Sequence, residues 1–182
     1  FTTEDIEKYI SGVILFDETF HQSELSSGMK FPEYLTSKNI LPGIKVDQGL
    51  EDFSPYEKLT KGLDGLSDRL GKYYALGARF AKWRAVITPG DSIPTNDCIL
   101  ANAKNLAKYA KKCQQANLVP IVEPEVLMDG VHTIDESFEI TSRTLNMVFD
   151  QLDEHNVSLQ GIVLKPNMIL SGYECPYQAS IE

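Results

Sequence analysis

The sequence has 182 residues, of which 42% are apolar and 24% are charged, and its formal net charge is −9. This composition is ordinary for a globular protein, and the length is enough for one domain with a sizeable core. The acidic balance and the lack of a basic run argue against nucleic acid or an anionic membrane as a partner. No apolar run approaches the roughly 18 residues that a membrane span needs.

Cysteine usage points to a reducing compartment. Cys98, Cys113 and Cys175 are odd in number and far apart in the sequence. We therefore expect free thiols and a cytoplasmic location. The chain begins at Phe1 with no signal-peptide pattern and no initiator methionine, so we expect that Phe1 is not the native start.

The first half of the sequence predicts two strands, each followed by helical sequence. One strand is expected at 12–16 and a short helix near 32–37. The next strand covers 41–46, and the turn-rich, charged stretch after it is expected to be a loop through 51–55. Apolar residues then recur every three to four positions, which indicates a helix. Its inner side is predicted to consist of Leu63, Leu66, Leu70, Tyr73 and Tyr74.

The second half continues the alternation. Strands are predicted at 80–86, 118–123 and 161–165, with a helix capped by Thr95 or Asn96 and another from about 134 to 154. The inner face of the first helix is predicted to be Ile99, Leu100, Ala103, Leu106, Ala107, Ala110 and Cys113. The inner face of the helix at 134–154 is predicted to be Phe138, Thr141, Leu145, Val148, Phe149 and Leu152. Residues 169–182 are expected to be a loop.

Four of the predicted strands end in a spaced pair of polar residues. Residues i and i+2 of a strand share a face, so both members of each pair should point the same way. The pairs are Lys45 with Asp47, Lys82 with Arg84, Glu123 with Glu125 and Lys165 with Asn167. Their first members are 37, 41 and 42 residues apart, which is the length of one strand plus one helix.

This alternation implies a parallel sheet with right-handed crossovers, for which two architectures compete. An open doubly wound sheet buries both faces under helices and accommodates paired charges badly. In a closed barrel, side chains at the carboxyl ends of the strands line the mouth, where active sites lie. The charge pairs therefore favour an α/β protein of the TIM (β/α)8 barrel type, and no Gly-x-Gly-x-x-Gly pattern supports the alternative. Because only five strands are predicted, we expect the chain to cover part of a longer barrel.

The residues at these strand ends suggest lysine chemistry. A lysine becomes a nucleophile at neutral pH when its pKa falls, which burial and a neighbouring cation both promote. Lys82 is expected to supply that cation to Lys165 across adjoining strands. Glu123 is placed to shuttle protons during the loss of water from a carbinolamine, and Arg84 and Lys45 suit a phosphate or another anion.

Each of these residues taken alone is more often a solvated strand end or half of a surface ion pair. Glu125 and Asp47 in particular can serve only to hold a lysine or arginine in place. The repetition of the pattern on four strands makes four independent surface features improbable, and a shared functional site explains them together.

At these motifs the sequence resembles the class I fructose-1,6-bisphosphate aldolases over essentially its whole length. The runs that carry the resemblance are Gly12-Val-Ile-Leu-Phe-Asp-Glu-Thr19, Gly43-Ile-Lys-Val-Asp47, Gly62-Leu-Asp-Gly-Leu-Ser67, Phe80-Ala-Lys-Trp-Arg84, Val119-Pro-Ile-Val-Glu-Pro-Glu125 and Leu164-Lys-Pro-Asn-Met168. The resemblance implies a TIM barrel and a glycolytic lyase. It would cleave fructose 1,6-bisphosphate reversibly into dihydroxyacetone phosphate and glyceraldehyde 3-phosphate.

The resemblance also implies roles for individual residues. Lys165 would form the Schiff base, Glu123 would be the general acid and base, and Lys82 would assist the covalent steps. Arg84 would help to hold a phosphate. The substrate site would be completed by Lys45, Asp47 and Glu125. The imine is the electron sink in this family, so no metal or other cofactor is expected; the scattered His21, His132 and His155 agree with that.

The family pattern extends past both ends of this sequence. The aspartate of its first strand would precede Phe1, and its phosphate-binding loops, a further arginine and a C-terminal tyrosine would follow Glu182. We therefore expect residues 1–182 to be part of a single TIM-barrel domain, spanning roughly its second to sixth strands.

The resemblance further implies a homotetramer, with actin or the acidic and aromatic tails of other proteins as additional partners. Two alternatives to an active aldolase remain open at this point. One is an adaptor that keeps only the tail-binding role of the basic site. The other is a different lysine-imine barrel such as a transaldolase, which fits the chemistry but not the specific runs.

Overall fold

A computed structural model describes residues 2–180 and shows a parallel sheet flanked by helices. Residues 181 and 182, the end of the predicted loop, lie outside the described range, and residues 169–180 contain neither helix nor strand. The elements are β1 (Gly12–Leu15), α1 (Asp17–His21), α2 (Phe31–Ser37), β2 (Leu41–Lys45), β3 (Leu50–Ser54), β4 (Glu57–Thr60), α3 (Leu66–Ala75), β5 (Phe80–Ile87), α4 (Asn96–Gln115), β6 (Val119–Val126), α5 (Ile134–Glu154) and β7 (Val163–Leu164).

The main sheet has five parallel strands in the order β1-β2-β5-β6-β7. Each strand is therefore added on the same side as the chain proceeds, whereas a doubly wound sheet reverses its order at a switch point. This order is that of a barrel wall, which confirms the TIM-barrel type of fold. The five predicted strands are all present, and the sheet covers only part of a barrel.

The core lies between the sheet and helices α3, α4 and α5. Trp83 on β5 is fully buried and stacks on Tyr109 of α4, with ring centroids 5.4 Å apart. The Tyr109 hydroxyl donates to the backbone oxygen of Ala81 at 2.7 Å. Because Ala81, Trp83 and Ala85 all face the helices, the alternate residues Lys82 and Arg84 face the other side of the sheet.

The predicted helix faces are correct for α4 and partly wrong for α5. On α4 the predicted inner residues other than Leu100, which is half-buried, are buried. On α5, Phe138 and Phe149 are 57% and 38% exposed. The buried side of α5 carries smaller and polar residues that let the helix approach its neighbours closely: Ser137, Thr141, Thr144, Val148, Gln151 and Leu152.

One hairpin and one short helix were not predicted. Residues 50–60, expected to be a loop, form the antiparallel hairpin of β3 and β4. Helix α1 is a single short helix of five residues directly after β1. Both lie near the carboxyl ends of the first two strands.

The three cysteines are unpaired and buried, as the sequence predicts for free thiols. No helix within residues 2–180 has the length and apolarity needed to cross a bilayer.

Candidate active site

The strand register brings the predicted charged residues together on one face of the sheet. Lys45 on β2 lies opposite Lys82 on β5, and Arg84 on β5 lies opposite Glu123 on β6. The backbone nitrogen of Lys165 donates to Val122 of β6 at 2.9 Å, which places Lys165 beside Glu123. The side chains are thus carried by four neighbouring strands and meet at their carboxyl ends.

The Glu123 carboxylate is the centre of this group. Its side chain is 3% exposed, and its two oxygens each face a different lysine. Oε1 accepts a hydrogen bond from Lys165 Nζ, and Oε2 lies 2.8 Å from Lys82 Nζ. A buried carboxylate needs such partners to offset its loss of hydration.

The expectation that Lys82 and Lys165 lie on adjoining strands is wrong. Strand β6 separates β5 from β7, so that Glu123 stands between the two amines. The two lysines are therefore linked through one carboxylate. Lys82 is largely buried, whereas 58% of the Lys165 side chain is exposed and accessible to a substrate.

Two further ion pairs flank this centre. Arg84 Nε bonds to Glu125 Oε2, and Lys45 Nζ bonds to Asp47 Oδ1. With Lys82, Lys165 and Glu123, the group has four basic side chains and three carboxylates, a surplus of one positive charge when all are ionised. An anionic substrate is favoured at such a site even though the whole chain has a net charge of −9.

Asn167 does not join the group, contrary to the prediction that it shares a face with Lys165. Its side chain accepts from the backbone nitrogen of Val126 at 3.1 Å and donates to Thr141 of α5 at 3.1 Å. The regular alternation of faces ends with β7 at Leu164, before Pro166. Asn167 therefore ties the end of β7 to β6 and α5.

The sequence reasoning missed Phe16 as a neighbour of the group. Its ring centroid lies 5.8 Å from Lys45 Nζ, which is within range of a cation–π contact. Phe16 follows the last residue of β1, so its position just past a strand end was the available signal.

Comparison with known proteins gives one consistent result. The whole chain, residues 1–182, matches the family model described as "Glycolytic: Fructose-bisphosphate aldolase class-I". It is 54% identical over 183 residues to a probable fructose-bisphosphate aldolase class 1 of Xanthomonas axonopodis pv. citri, covering 100% of this chain and 54% of that protein. It is 51% identical to fructose-bisphosphate aldolase 1 of Toxoplasma gondii, covering 100% of this chain and 51% of that protein.

A solved structure is similar as well. It is a Plasmodium falciparum fructose-bisphosphate aldolase in complex with TRAP and a small-molecule inhibitor, with a TM-score of 0.93 and 47% identity. The match covers 98% of this chain and 52% of that one. The chain therefore spans about half the length of the curated relatives and of the solved structure that it matches.

Proposed function

This chain belongs to the class I fructose-bisphosphate aldolase family, and from that premise we propose that the complete protein is a fructose-1,6-bisphosphate aldolase. It cleaves the sugar reversibly to dihydroxyacetone phosphate and glyceraldehyde 3-phosphate. The observation that carries the proposal is the contact of two lysine amines with the single buried carboxylate of Glu123. Lys165 is the exposed amine of the two, which suits it as the nucleophile.

In the proposed reaction, the neutral amine of Lys165 adds to the ketone carbon and forms a carbinolamine. Glu123, in its protonated form, gives a proton to the carbinolamine hydroxyl, which leaves as water, and an iminium ion remains. The electrons of the carbon–carbon bond then move into the iminium, which becomes an enamine, while the hydroxyl on the departing fragment gives its proton to the Glu123 carboxylate and becomes the aldehyde. Protonation of the enamine carbon restores the iminium, and water hydrolyses it to release dihydroxyacetone phosphate and the free Lys165 amine. Lys82, on the other oxygen of Glu123, holds that carboxyl group in position.

The surrounding charges suit the binding of the substrate. Arg84 and Lys45 are proposed to attract its phosphates, and their partners Glu125 and Asp47 fix the direction of both basic side chains. An arginine or lysine held by a carboxylate on one side still has donors left for a phosphate oxygen. Binding energy at the phosphates then positions the ketone next to Lys165.

Trapping of the imine tests the role of Lys165. The complete protein is incubated with dihydroxyacetone phosphate and borohydride, and its intact mass and peptide map are measured. We expect one reduced adduct, located on Lys165, and none in Lys165→Met. The exposed Lys104→Met variant is the matched control and should still form the adduct. An adduct on another lysine, or turnover that persists in Lys165→Met, would overturn this assignment.

We also propose the setting in which this activity occurs. Residues 1–182 form part of one TIM-barrel domain, and the complete protein is a cytoplasmic homotetramer of glycolysis. The family membership and the unpaired cysteines support this proposal. Sedimentation velocity of the complete protein gives the test, since a monomer at micromolar concentration would contradict the tetramer.

A second candidate function is binding of an acidic protein tail at the same site. The similar Plasmodium structure is described as a complex with TRAP, which is a statement about that protein. The surplus positive charge around Glu123 is the feature of this chain that favours an acidic segment, such as an actin or adhesin tail. A fluorescent acidic peptide containing tryptophan should bind and be displaced by the sugar bisphosphate. Binding that the bisphosphate leaves unchanged would place the peptide elsewhere.

A further inference from the structure

The segment that carries Lys165 is joined to the sheet by few backbone hydrogen bonds. Strand β7 has only two residues, and after it Lys165 alone continues the pairing, donating from its backbone nitrogen to the oxygen of Val122 at 2.9 Å. Within the described residues, no backbone group of 166–168 bonds to the backbone of β6. The strand ladder therefore holds the proposed nucleophile on its amino-terminal side only.

A proline on β6 explains why the ladder stops there. Successive residues of a parallel strand direct their backbone groups to opposite neighbours. Val122 and Val126 both bond toward the β7 side, so Pro124 between them faces β7 as well. Its N–H would be the next donor to the Lys165 segment, but proline has none. Regular pairing therefore ends at Lys165.

The side-chain amide of Asn167 rejoins the segment to β6 where the ladder ends. Its Oδ1 accepts from the backbone nitrogen of Val126 at 3.1 Å, as the carbonyl of a paired strand would. Its Nδ2 donates to the backbone oxygen of Met168 at 3.0 Å and to the Thr141 hydroxyl of α5 at 3.1 Å. Because a backbone N–H only donates and a carbonyl only accepts, these partners hold the amide in one orientation.

The two anchors lie on either side of the contact between Lys165 and Glu123. Glu123 lies on β6 between Val122, which holds the backbone of Lys165, and Val126, which holds Asn167. The Glu123 side chain is 3% exposed and fixed in place, whereas that of Lys165 is 58% exposed. Packing therefore does little to hold the Lys165 side chain, and the anchors of its backbone decide where its amine lies.

We propose that Asn167 is a positioning residue that, through its bonds to Val126 and Thr141, holds the Lys165 amine against the Glu123 carboxylate. This role rests on the proposed aldolase function, in which the amine must meet both the ketone and the carboxyl group. A displacement of about 1 Å can cost roughly 100-fold in rate. An anchor two residues from the nucleophile therefore controls kcat without touching the substrate.

Steady-state kinetics of the complete protein tests the anchor through both of its side chains. Thr141→Val keeps the shape of the side chain but removes the acceptor for Asn167, whereas Thr141→Ser retains it. We expect kcat to fall about 10-fold to 100-fold in Asn167→Ala and about tenfold in Thr141→Val, with KM changed less than about twofold. Thr141→Ser should keep most of the wild-type kcat. Asn146→Ala, the same change at an exposed asparagine of α5, should have no effect.

Two measurements without substrate separate this inference from the proposed function. In Asn167→Ala, the Val126 amide should exchange with deuterium faster. Lys165 should be methylated by formaldehyde and cyanoborohydride at least about fivefold faster relative to the exposed Lys104 in the same sample, as the loss of one hydrogen bond predicts. If both changes occur in a protein that does not cleave the sugar, the proposed function fails and the anchor stands. If Asn167→Ala lowers the unfolding midpoint but leaves kcat and the labelling of Lys165 unchanged, Asn167 is only structural and the inference is overturned.

Discussion

At the scale of single residues, the Glu123 carboxylate contacts two lysines, one through each of its oxygens. The carboxylate is buried, and each of its oxygens faces a different amine. Glu123→Gln keeps the shape of the side chain and removes its charge, so two amines then share an amide that cannot carry the proton. We expect kcat for bisphosphate cleavage to fall about 100-fold to 10,000-fold, the usual contribution of a general acid–base residue. Steady-state kinetics of the complete protein measures this loss.

Glu125 offers the matched control for that measurement. It is two residues away on the same strand, and its carboxylate bonds to Arg84 instead of to a lysine. Glu125→Gln should mainly raise KM, because Arg84 is left free to turn away from a phosphate. If Glu123→Gln and Glu125→Gln lower kcat equally, Glu123 has no special part in proton transfer.

A second residue-scale prediction concerns Glu57, which is 2% exposed at the start of β4. Burial acts to raise the pKa of Glu57, but hydrogen bonds from the backbone and hydroxyl of Thr95 and from Ser54 outweigh it and lower the pKa below its ordinary value. A lowered pKa in the folded state stabilises the protein above the unfolded value of about 4.3. That stability is lost as the pH falls through the folded value.

Glu57→Gln isolates this effect. At neutral pH the variant should lose about 1–3 kcal/mol of unfolding free energy, because charged hydrogen bonds to Thr95 are replaced by neutral ones. Its stability should also fall less than that of the wild type between about pH 6 and pH 3. Urea unfolding of the complete protein at several pH values measures both. Glu51→Gln, on the exposed part of the hairpin, is the control, and equal acid sensitivity of Glu57→Gln and the wild type would refute the prediction.

At the scale of elements, the packing of β2 beside β5 leaves no room for a side chain at Gly43. Gly43 lies opposite Phe80, whose ring covers it, so that a methyl group added at Gly43 would overlap the ring. We expect Gly43→Ala to destabilise the complete protein by about 1–3 kcal/mol through overpacking. The double variant Gly43→Ala with Phe80→Leu should recover part of that loss. Urea unfolding in a double-mutant cycle measures the coupling, and strictly additive effects would show that the overlap is absent.

The elements also show how far the sequence could predict the fold and the site. The five strands of the sheet and the two long helices follow from apolar runs and helical periodicity. The prediction that both members of a polar pair share one face of the sheet is correct where side chains keep alternating between the two faces, as for Lys82 with Arg84. The predicted side-chain direction of Asn167 is wrong because side chains no longer alternate between the two faces after the strand has ended. The hairpin was missed because its buried residues, Glu57 and Thr60, are both polar and give no apolar strand pattern; Glu57 accepts hydrogen bonds from Thr95, which is far away in the sequence.

The aromatic residues of α5 were misassigned for a related reason. Helical periodicity places Phe138 and Phe149 near the apolar side of α5. It does not show how much of the helix surface is covered by the elements that pack against α5. The structure buries Ser137, Thr144 and Gln151 instead and leaves both rings exposed.

At the scale of the whole molecule, the sheet is open and its site-bearing face is apolar. Five strands in serial order make part of a barrel wall, whereas closure takes eight. The face that carries the amine group also carries large apolar side chains with 40–65% exposure, among them Ile14, Phe16, Leu41, Val119 and Val163. In a closed barrel, side chains at such positions fill the interior.

A polypeptide of residues 1–182 alone should therefore fail to form the active barrel. Its uncovered apolar face favours self-association, and the open sheet edges at β1 and β7 can pair with other chains. We expect strong binding of the dye ANS, sedimentation as a mixture of oligomers, and no cleavage of fructose 1,6-bisphosphate. The complete protein should bind little dye and turn over the sugar. If the 182-residue polypeptide is monomeric and active, the five strands suffice for the site, and the rest of the barrel is not needed to hold Lys165, Lys82 and Glu123 in place.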